Sequence, residues 1–241
     1  MTIAAFNSTL KPYFKESPNE KATTKIPQRF SLFPIPYSLF PIPYSLLTMT
    51  AKILAFAGSS RQGSFHKALV KIAAQGAEAA GAEVTTIDLG DYPMPLYNQD
   101  LEAKEGFPET VLAFKKLLKA HDGLLIASPE YNSSITPLLK NAIDWASRPE
   151  EGEPPLSLTC FRGKVAALMA TSPGGMGGLR GLVHVRDILQ NIGVMVIPQQ
   201  KTISGSYQAF DDQGNLNDSD QDSAIRDLGK ALSTVVAKLH S

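Results

Sequence analysis

Short apolar segments alternate with longer segments of helical periodicity from residue 49 to the end of the chain. The short segments are continuously apolar or alternate between apolar and polar positions, which is typical of strands. They predict strands at Lys52–Ala57, Val84–Leu89, Gly123–Ala127, Lys164–Ala170 and Val194–Ile197. In the longer segments, apolar residues recur with the spacing of helices that cover a core on one side. They predict helices at Ser64–Ala80, Pro108–Ala120, Thr136–Ser147, Gly177–Ile192 and Asp222–His240.

This alternation of strands and helices predicts an α/β fold. Strands that are apolar on both faces belong to a parallel sheet with helices on both sides, and right-handed crossovers then produce a three-layer α/β/α sandwich. For a five-stranded parallel sheet we expect the flavodoxin-like order 2-1-3-4-5, which has its topological switch point between strands one and three. Ligands bind there, at the carboxyl ends of the strands. The loops after strands one, three and four are therefore expected to form one site.

Two finer expectations concern less regular parts of the chain. The segment Asp91–Gly106 contains Pro93 and Pro95 and is predicted to be a loop. In the last helix, helical spacing predicts an inner face formed by Ile225, Leu228, Leu232, Val235, Val236 and Leu239.

The first 48 residues differ from the rest. The unit SLFPIPY occurs twice from residue 31 and begins a third time, and its prolines exclude a continuous helix and hence a membrane span. We favour a mis-called start, with Met49 as the true first residue of a domain that covers 49–241. A disordered proline-rich extension is the alternative. An organelle transit peptide fits less well because no amphipathic, Arg- and Ser-rich pattern is present.

Composition narrows the class of protein. Apolar residues make up 43% of the chain and charged residues 19%, which is typical of a globular protein. Basic and acidic residues number 23 each, but residues 49–241 hold 18 basic against 21 acidic residues, so nucleic acid is not an expected partner. The single cysteine, Cys160, excludes an internal disulfide and favours a reducing, cytoplasmic setting. The four histidines lack the spacing of metal ligands, so we expect no metal.

The loop after the first strand, residues 58–66, reads GSSRQGSFH. Its glycines allow a tight turn that exposes N–H groups at a helix N-terminus, where phosphate binds favourably. Serine hydroxyls add donors, and Arg61 adds a guanidinium suited to phosphate. Ser64 stands where a nucleoside-triphosphate loop needs lysine, and the G-x-G-x-x-G spacing of dinucleotide sites is absent. The alternative is a helix cap with an incidental arginine.

Two further loops meet the same edge of the predicted sheet. The loop after the fourth strand reads TSPGGMGG, and its glycines would let a flat ligand lie against the backbone; alternatively it is a mobile turn. The loop after the third strand reads SPEYNSS and offers an aromatic edge in Tyr131 and amide donors in Asn132. Glu130 is interpreted as an N-terminal helix charge or an ion-pair partner between subunits. One loop is suited to phosphate, another would leave room for a flat ligand, and the third offers an aromatic edge and amide donors. Together they predict flavin mononucleotide (FMN).

The segments GSSRQGSF, SPEYNSSITPLLKNAIDW and TSPGGMGGLRG resemble the NADPH-dependent FMN reductase family, which includes bacterial quinone, azo-dye and chromate reductases. The resemblance runs from about Met49 to the last helix. It implies that FMN phosphate is bound by the first loop and that the isoalloxazine lies between the other two. His66 departs from the asparagine that family members often carry there. The implied cofactor-binding residues are Ser59, Arg61, Ser64, Phe65, His66, Pro129, Glu130, Tyr131, Asn132, Ser172, Pro173, Gly174 and Gly175.

The resemblance also implies an activity. NADPH or NADH would pass hydride to bound FMN, and a quinone or similar acceptor would then be reduced in a ping-pong mechanism. Since the flavin supplies the chemistry, no catalytic side chain is required. The resemblance and the apolar helix Thr136–Ser147 predict a homodimer or homotetramer. One alternative is a flavodoxin-like electron carrier without its own NAD(P)H reductase activity, and another is a flavin-free regulatory protein with the same fold.

Overall fold

A five-stranded parallel sheet forms the centre of residues 50–240, the part of the chain that the computed structural model describes. Its strands are β1 (Lys52–Ala57), β2 (Glu83–Asp88), β3 (Gly123–Ala127), β4 (Val165–Thr171) and β5 (Met195–Ile203). The strands have the order β2-β1-β3-β4-β5, as predicted.

Helices cover both faces of this sheet, which confirms the three-layer α/β/α sandwich. The helices are α1 (Phe65–Ala79), α2 (Gln99–Glu105), α3 (Glu109–Ala120), α4 (Pro137–Ala146), α5 (Leu179–Asn191), α6 (Ser206–Ala209) and α7 (Ser219–Leu239). One face of the sheet packs against α1 and α7, and the other packs against α3, α4 and α5. Alternate residues of each inner strand point to opposite layers: Ile53 and Ala55 join the first core, and Leu54 and Phe56 join the second.

Strand β5 is longer than predicted because it lies at the edge of the sheet. An edge strand has one neighbour, so it need not be apolar throughout. Its second half is polar and pairs with β4 after a register irregularity, with Val196 opposite Ala166 and Gln200 opposite Leu168. Pro198 lies within this irregular stretch, a position where proline does not interrupt pairing. The prediction of Val194–Ile197 therefore identified only the apolar half.

Two other predictions were wrong in part. The segment Asp91–Gly106, predicted to be a loop, contains α2. This helix buries none of its residues, so its sequence lacks apolar periodicity. This helix is defined instead by its caps, the Asn98 side chain and Gly106 with φ of 73°. In α7 the N-cap is Asp218, and Leu239 is 52% exposed rather than part of the inner face.

The apolar face of α4 is used within the chain. Trp145 is fully buried, and its Nε1 donates a 2.8 Å hydrogen bond to the carbonyl oxygen of Pro95. The rings of Tyr97 and Phe107 lie against the indole at 5.1 and 6.0 Å between centroids. Leu139 and Ile143 are also buried. The expected dimer or tetramer therefore stays a prediction without this face as its support.

The predicted N-terminal extension, residues 1–48, lies outside the described residues. Within residues 50–240 no helix has the length and apolar character needed to cross a membrane.

Candidate functional site at the carboxyl edge of the sheet

Three loops leave adjacent strands at one edge of the sheet. The last residues of β1 and β3 pair with each other, Ala57 with Ala127, and Ala127 pairs with Met169 in β4. Backbone hydrogen bonds continue one residue beyond the ladder, from Gly58 N–H to Ala127 O at 2.9 Å and from Ser128 N–H to Met169 O at 2.9 Å. The β1–α1 loop (58–64), the β3–α4 loop (128–136) and the β4–α5 loop (172–178) therefore start side by side.

The β1–α1 loop ends in free donors at the N-terminus of α1. Ser64 is the N-cap, but its hydroxyl makes no capping hydrogen bond. The backbone N–H groups of Gly63, Ser64, Phe65 and His66 have no acceptor among the described residues. Arg61 is exposed above them. The first-turn N–H groups of a helix carry partial positive charge, so this end of α1 is suited to a phosphate.

Phe65 belongs to an aromatic cluster beside this loop rather than to its open side. Its ring stacks on Phe210 at 5.1 Å and meets the edge of Tyr207 at 5.9 Å. The Arg61 guanidinium lies 5.6 Å from the Phe65 centroid, a cation–π contact that orients the arginine. Sequence reasoning missed Tyr207 and Phe210 because it ended β5 too early and assigned no element between β5 and α7.

His66 connects α1 to the end of β4. Its Nε2 accepts a 3.2 Å hydrogen bond from the Thr171 N–H, which requires an unprotonated nitrogen. Burial, and secondarily the charge of Arg61, lower the pKa of His66 from 6.5 to about 4. His66 is therefore neutral near pH 7. The structure places it as a link between two loops, with Nε2 already occupied.

The β3–α4 loop turns sharply outward. Tyr131 and Ser134 exchange backbone hydrogen bonds of 2.9 and 3.0 Å, and Asn132 and Ser133 between them have φ of 50° and 65°. Positive φ at both central positions defines a type I′ turn, which asparagine tolerates well. Tyr131 is 58% exposed and Asn132 is also exposed. Their side chains are available at the edge, whereas Pro129 is buried beneath them.

Thr136 joins the β3–α4 loop to the β1–α1 loop. Its hydroxyl donates a 2.7 Å hydrogen bond to Gly58 O and accepts the N–H of Leu139 at 3.2 Å, so it also caps α4. A Cβ on Gly58 would lie 3.0 Å from Cβ of Leu139 and 3.3 Å from Cδ of Pro129. The glycine therefore allows close packing of the two loops. The Thr136-Pro137 pair was visible in the sequence as a helix start, but its partner Gly58 was not.

Glu130 points away from the open edge toward α5. Its Oε2 accepts the Gly181 N–H at 3.0 Å, and its Oε1 lies 3.7 Å from Nη1 of Arg180. The interpretation of Glu130 as an N-terminal helix charge is confirmed, and the helix is α5 rather than the one that follows it in sequence.

The glycines of the β4–α5 loop divide into an open pair and a tight pair. Around Gly174 and Gly175 an added Cβ would meet only the Ser172 hydroxyl, at 3.8 Å from Gly174. The N–H groups of these two glycines have no acceptor within residues 50–240. Gly177 and Gly178 have φ of 60° and 88°, and a Cβ on either would lie 2.9 Å from a neighbouring Cβ. Only the open pair can border a ligand.

The predicted site residues are therefore of two kinds. Most present an open side chain or open backbone at the edge, whereas Phe65, His66, Pro129 and Glu130 are engaged in packing or in links between loops. The open group consists of Ser59, Arg61, Tyr131, Asn132, Ser172, Pro173, Gly174 and Gly175. Ser64 is only 6% exposed and contributes a backbone N–H without an acceptor among the described residues.

A separate groove of about 800 Å³ lies beside α1 and shares only the β1–α1 loop with this edge. It is lined by three basic and three acidic residues: Lys67, Lys71, Arg226, Asp88, Asp211 and Asp212. Because opposite charges balance along it and neither of the other two loops reaches it, we do not assign the groove to the site. Among the described residues no cluster of histidine, cysteine or acidic side chains could hold a metal ion.

Comparison with known proteins shows which protein family this sequence matches. The sequence model of the family described as NADPH-dependent FMN reductase matches residues 51–208, which include all three loops. An NAD(P)H-dependent FMN reductase of Pseudomonas aeruginosa is 39% identical over 189 residues, 78% of this chain and 96% of that protein. A quinone reductase of Escherichia coli is 37% identical over 163 residues, 65% of this chain and 79% of that protein. A solved flavoenzyme NAD(P)H:(acceptor) oxidoreductase from Paracoccus denitrificans has a TM-score of 0.64 and 27% identity, covering 78% of this chain and 98% of that one.

Proposed function

The chain belongs to the NADPH-dependent FMN reductase family and is an FMN-dependent NAD(P)H oxidoreductase; from this premise we propose that it reduces quinones or similar acceptors by a ping-pong mechanism. The quinone reductase of Escherichia coli and the NADPH:quinone oxidoreductase of Arabidopsis thaliana, 36% identical over 172 residues, support the acceptor class. The observation that carries the proposal is the meeting of three open loops at one sheet edge.

The residues present fit FMN. We propose that Ser59, Arg61, Ser64 and the free N–H groups at the start of α1 bind the phosphate. The Tyr131–Ser134 turn and the open Gly174–Gly175 backbone would hold the isoalloxazine, since no Cβ at the two glycines would obstruct a flat ring. Ser172 and Pro173 complete that side. The other four residues would act indirectly, through packing or hydrogen bonds that hold the loops in place: Phe65, His66, Pro129 and Glu130.

The chemistry that FMN supplies when bound is two-electron exchange, since it can receive hydride from NAD(P)H and give two electrons to a quinone. The protein contributes binding, orientation and electrostatics. The unpaired N–H groups of Gly174 and Gly175 are donors that would stabilise negative charge on the reduced ring. No nucleophile or proton-transfer side chain is required. His66, whose pKa burial lowers to about 4, is turned inward from the open edge and is neutral near pH 7.

Initial-rate kinetics test the mechanism. We expect parallel double-reciprocal lines when quinone is varied at several fixed NADPH concentrations, because the oxidised nicotinamide leaves before the acceptor takes the same place. Lines that intersect would show that both substrates are bound together and would contradict the ping-pong proposal. Replacing NADPH by NADH in the same assay determines the preferred nicotinamide.

A further inference from the structure

Helix α5 lacks a capping side chain of its own. Its N-cap is Gly178, which adopts φ of 88° and has no side chain to satisfy the first-turn N–H groups. The N–H of Gly181, the third residue of α5, is the group that an N-cap side chain ordinarily accepts. Here it donates to Glu130 Oε2 at 3.0 Å. The cap of α5 is thus supplied by the β3–α4 loop.

The backbones at this contact approach closely. A Cβ on Gly181 would lie 3.2 Å from Ser134 O, 3.3 Å from Glu130 Cβ and 3.4 Å from Glu130 Cα. The Glu130 side chain is only 16% exposed, and a carboxylate in this position also interacts favourably with the helix dipole. The contact is therefore well packed as well as hydrogen-bonded.

Each partner in this contact belongs to a wall of the site. Glu130 directly precedes the type I′ turn formed by Tyr131–Ser134, and α5 directly follows the glycine loop 174–178. A second hydrogen bond joins the other end of the same turn to α5, with 2.9 Å between His184 Nδ1 and Ser134 Oγ. The distance between turn and glycine loop therefore depends on how the turn is anchored to this helix.

We propose that Glu130 is a positioning residue that anchors the Tyr131–Ser134 turn to α5 and thereby pre-forms the slot that receives the isoalloxazine. The slot's occupant rests on the proposed function, whereas the anchor itself does not. A hydrogen bond to a charged group is stronger than one between neutral groups. Since apparent affinity falls with the fraction of protein that is ready to bind, loss of the anchor is expected to weaken FMN affinity roughly 10- to 100-fold.

Two substitutions separate the anchor from the charge. Glu130→Ala removes the acceptor, so weaker FMN binding is expected. Glu130→Gln retains a side-chain oxygen that can accept the Gly181 N–H, so affinity within about threefold of wild type is expected. Glu109→Ala is the matched control, because Glu109 is an exposed acid in the first turn of α3 that holds no loop. FMN titration by fluorescence quenching measures all four proteins.

Hydrogen exchange of the FMN-free proteins tests the anchor separately. The Gly181 amide and the Tyr131–Ser134 turn should exchange slowly in wild type and Glu130→Gln, and at least tenfold faster in Glu130→Ala. If wild type fails to bind FMN, the proposed function is wrong, and the exchange rates alone decide whether the anchor exists. Equal exchange rates in wild type and Glu130→Ala would overturn the anchor.

Gly181→Ala perturbs the same contact from the side of α5 and leaves Glu130 itself unchanged in the sequence. Alanine favours the helix more than glycine does, so α5 should stay folded while the added methyl group displaces the turn. We expect FMN affinity to fall several-fold in this variant. If Glu130→Ala does not fold, this variant decides the question. Unchanged affinity in the folded anchor variants, or equal losses in Glu130→Ala and Glu130→Gln, would overturn the positioning role.

Discussion

Arg61 and His66 have different tasks although they are five residues apart. Arg61 is exposed and its guanidinium is oriented by the Phe65 ring, so its charge is available to an anion. His66 is turned inward and accepts the Thr171 N–H. The family resemblance placed both in one list of cofactor-binding residues, because spacing along a loop does not reveal which side chains point outward.

Arg61→Ala is expected to weaken FMN binding roughly 10- to 100-fold, since a charge-assisted hydrogen bond to phosphate contributes about 1.5–3 kcal/mol. The dissociation constant for FMN measures the effect. Lys71→Ala is the control, because Lys71 is an exposed cation on α1, the helix that follows the Arg61 loop, and lies away from the three loops. Unchanged flavin retention in Arg61→Ala would contradict the phosphate assignment.

His66 should make stability depend on pH. Its folded-state pKa of about 4 lies below its ordinary value of 6.5, so between these values the unfolded chain binds more protons than the folded one. The free energy of unfolding is therefore expected to fall as pH decreases from about 6.5 to 4, by up to about 3 kcal/mol. Above pH 7 the contribution is constant.

The comparison with His66→Gln isolates this effect from the carboxylates that also titrate in acid. Glutamine can place an oxygen near the position of Nε2, but it does not titrate. Urea unfolding at several pH values should give a shallower decline for His66→Gln than for wild type. Equal slopes would show that His66 is not buried as a neutral acceptor.

At the scale of secondary structure, the sequence predicted the elements that are apolar and missed those that are not. β1 and β3 were predicted at their observed limits because both faces are buried. Helix α2 and the second half of β5 carry polar residues that only capping and edge pairing explain. The links between loops were also invisible, because Thr136–Gly58, His66–Thr171 and Glu130–Gly181 join residues far apart in the chain.

We propose two roles for the glycines of the β4–α5 loop: Gly178 stabilises the fold, and Gly175 leaves space for the flavin ring. Gly178→Ala should lower the free energy of unfolding by about 2–4 kcal/mol, because it forces a side chain into φ of 88° and against Ala170. Gly175→Ala should leave stability within about 0.5 kcal/mol but weaken FMN binding, since its methyl group would occupy the space assigned to the ring. Thermal melts and FMN titration on both variants measure these effects. A Gly175→Ala protein that binds FMN normally would contradict the proposal that the Gly174–Gly175 backbone borders the flavin ring.

At the scale of the whole molecule, the parallel sheet brings three distant segments of sequence to one edge. The order β2-β1-β3-β4-β5 makes the exits of β1, β3 and β4 neighbours, which sequence patterning could predict because strand topology follows few rules. Quaternary structure is different, since the apolar face of α4 that suggested an interface is covered by the chain itself. A homodimer or homotetramer and a cytoplasmic location stay predictions.

Anaerobic absorbance spectroscopy of the purified full-length protein tests the central claim most directly. We expect the protein to be yellow, or to become so when FMN is added, and its visible flavin absorption to bleach when NADPH is added alone. Addition of a quinone should then restore the colour. A protein that holds FMN but is not bleached by NADPH or NADH would be an electron carrier. A colourless protein that does not take up added FMN would have no flavin site. Either result would contradict the account.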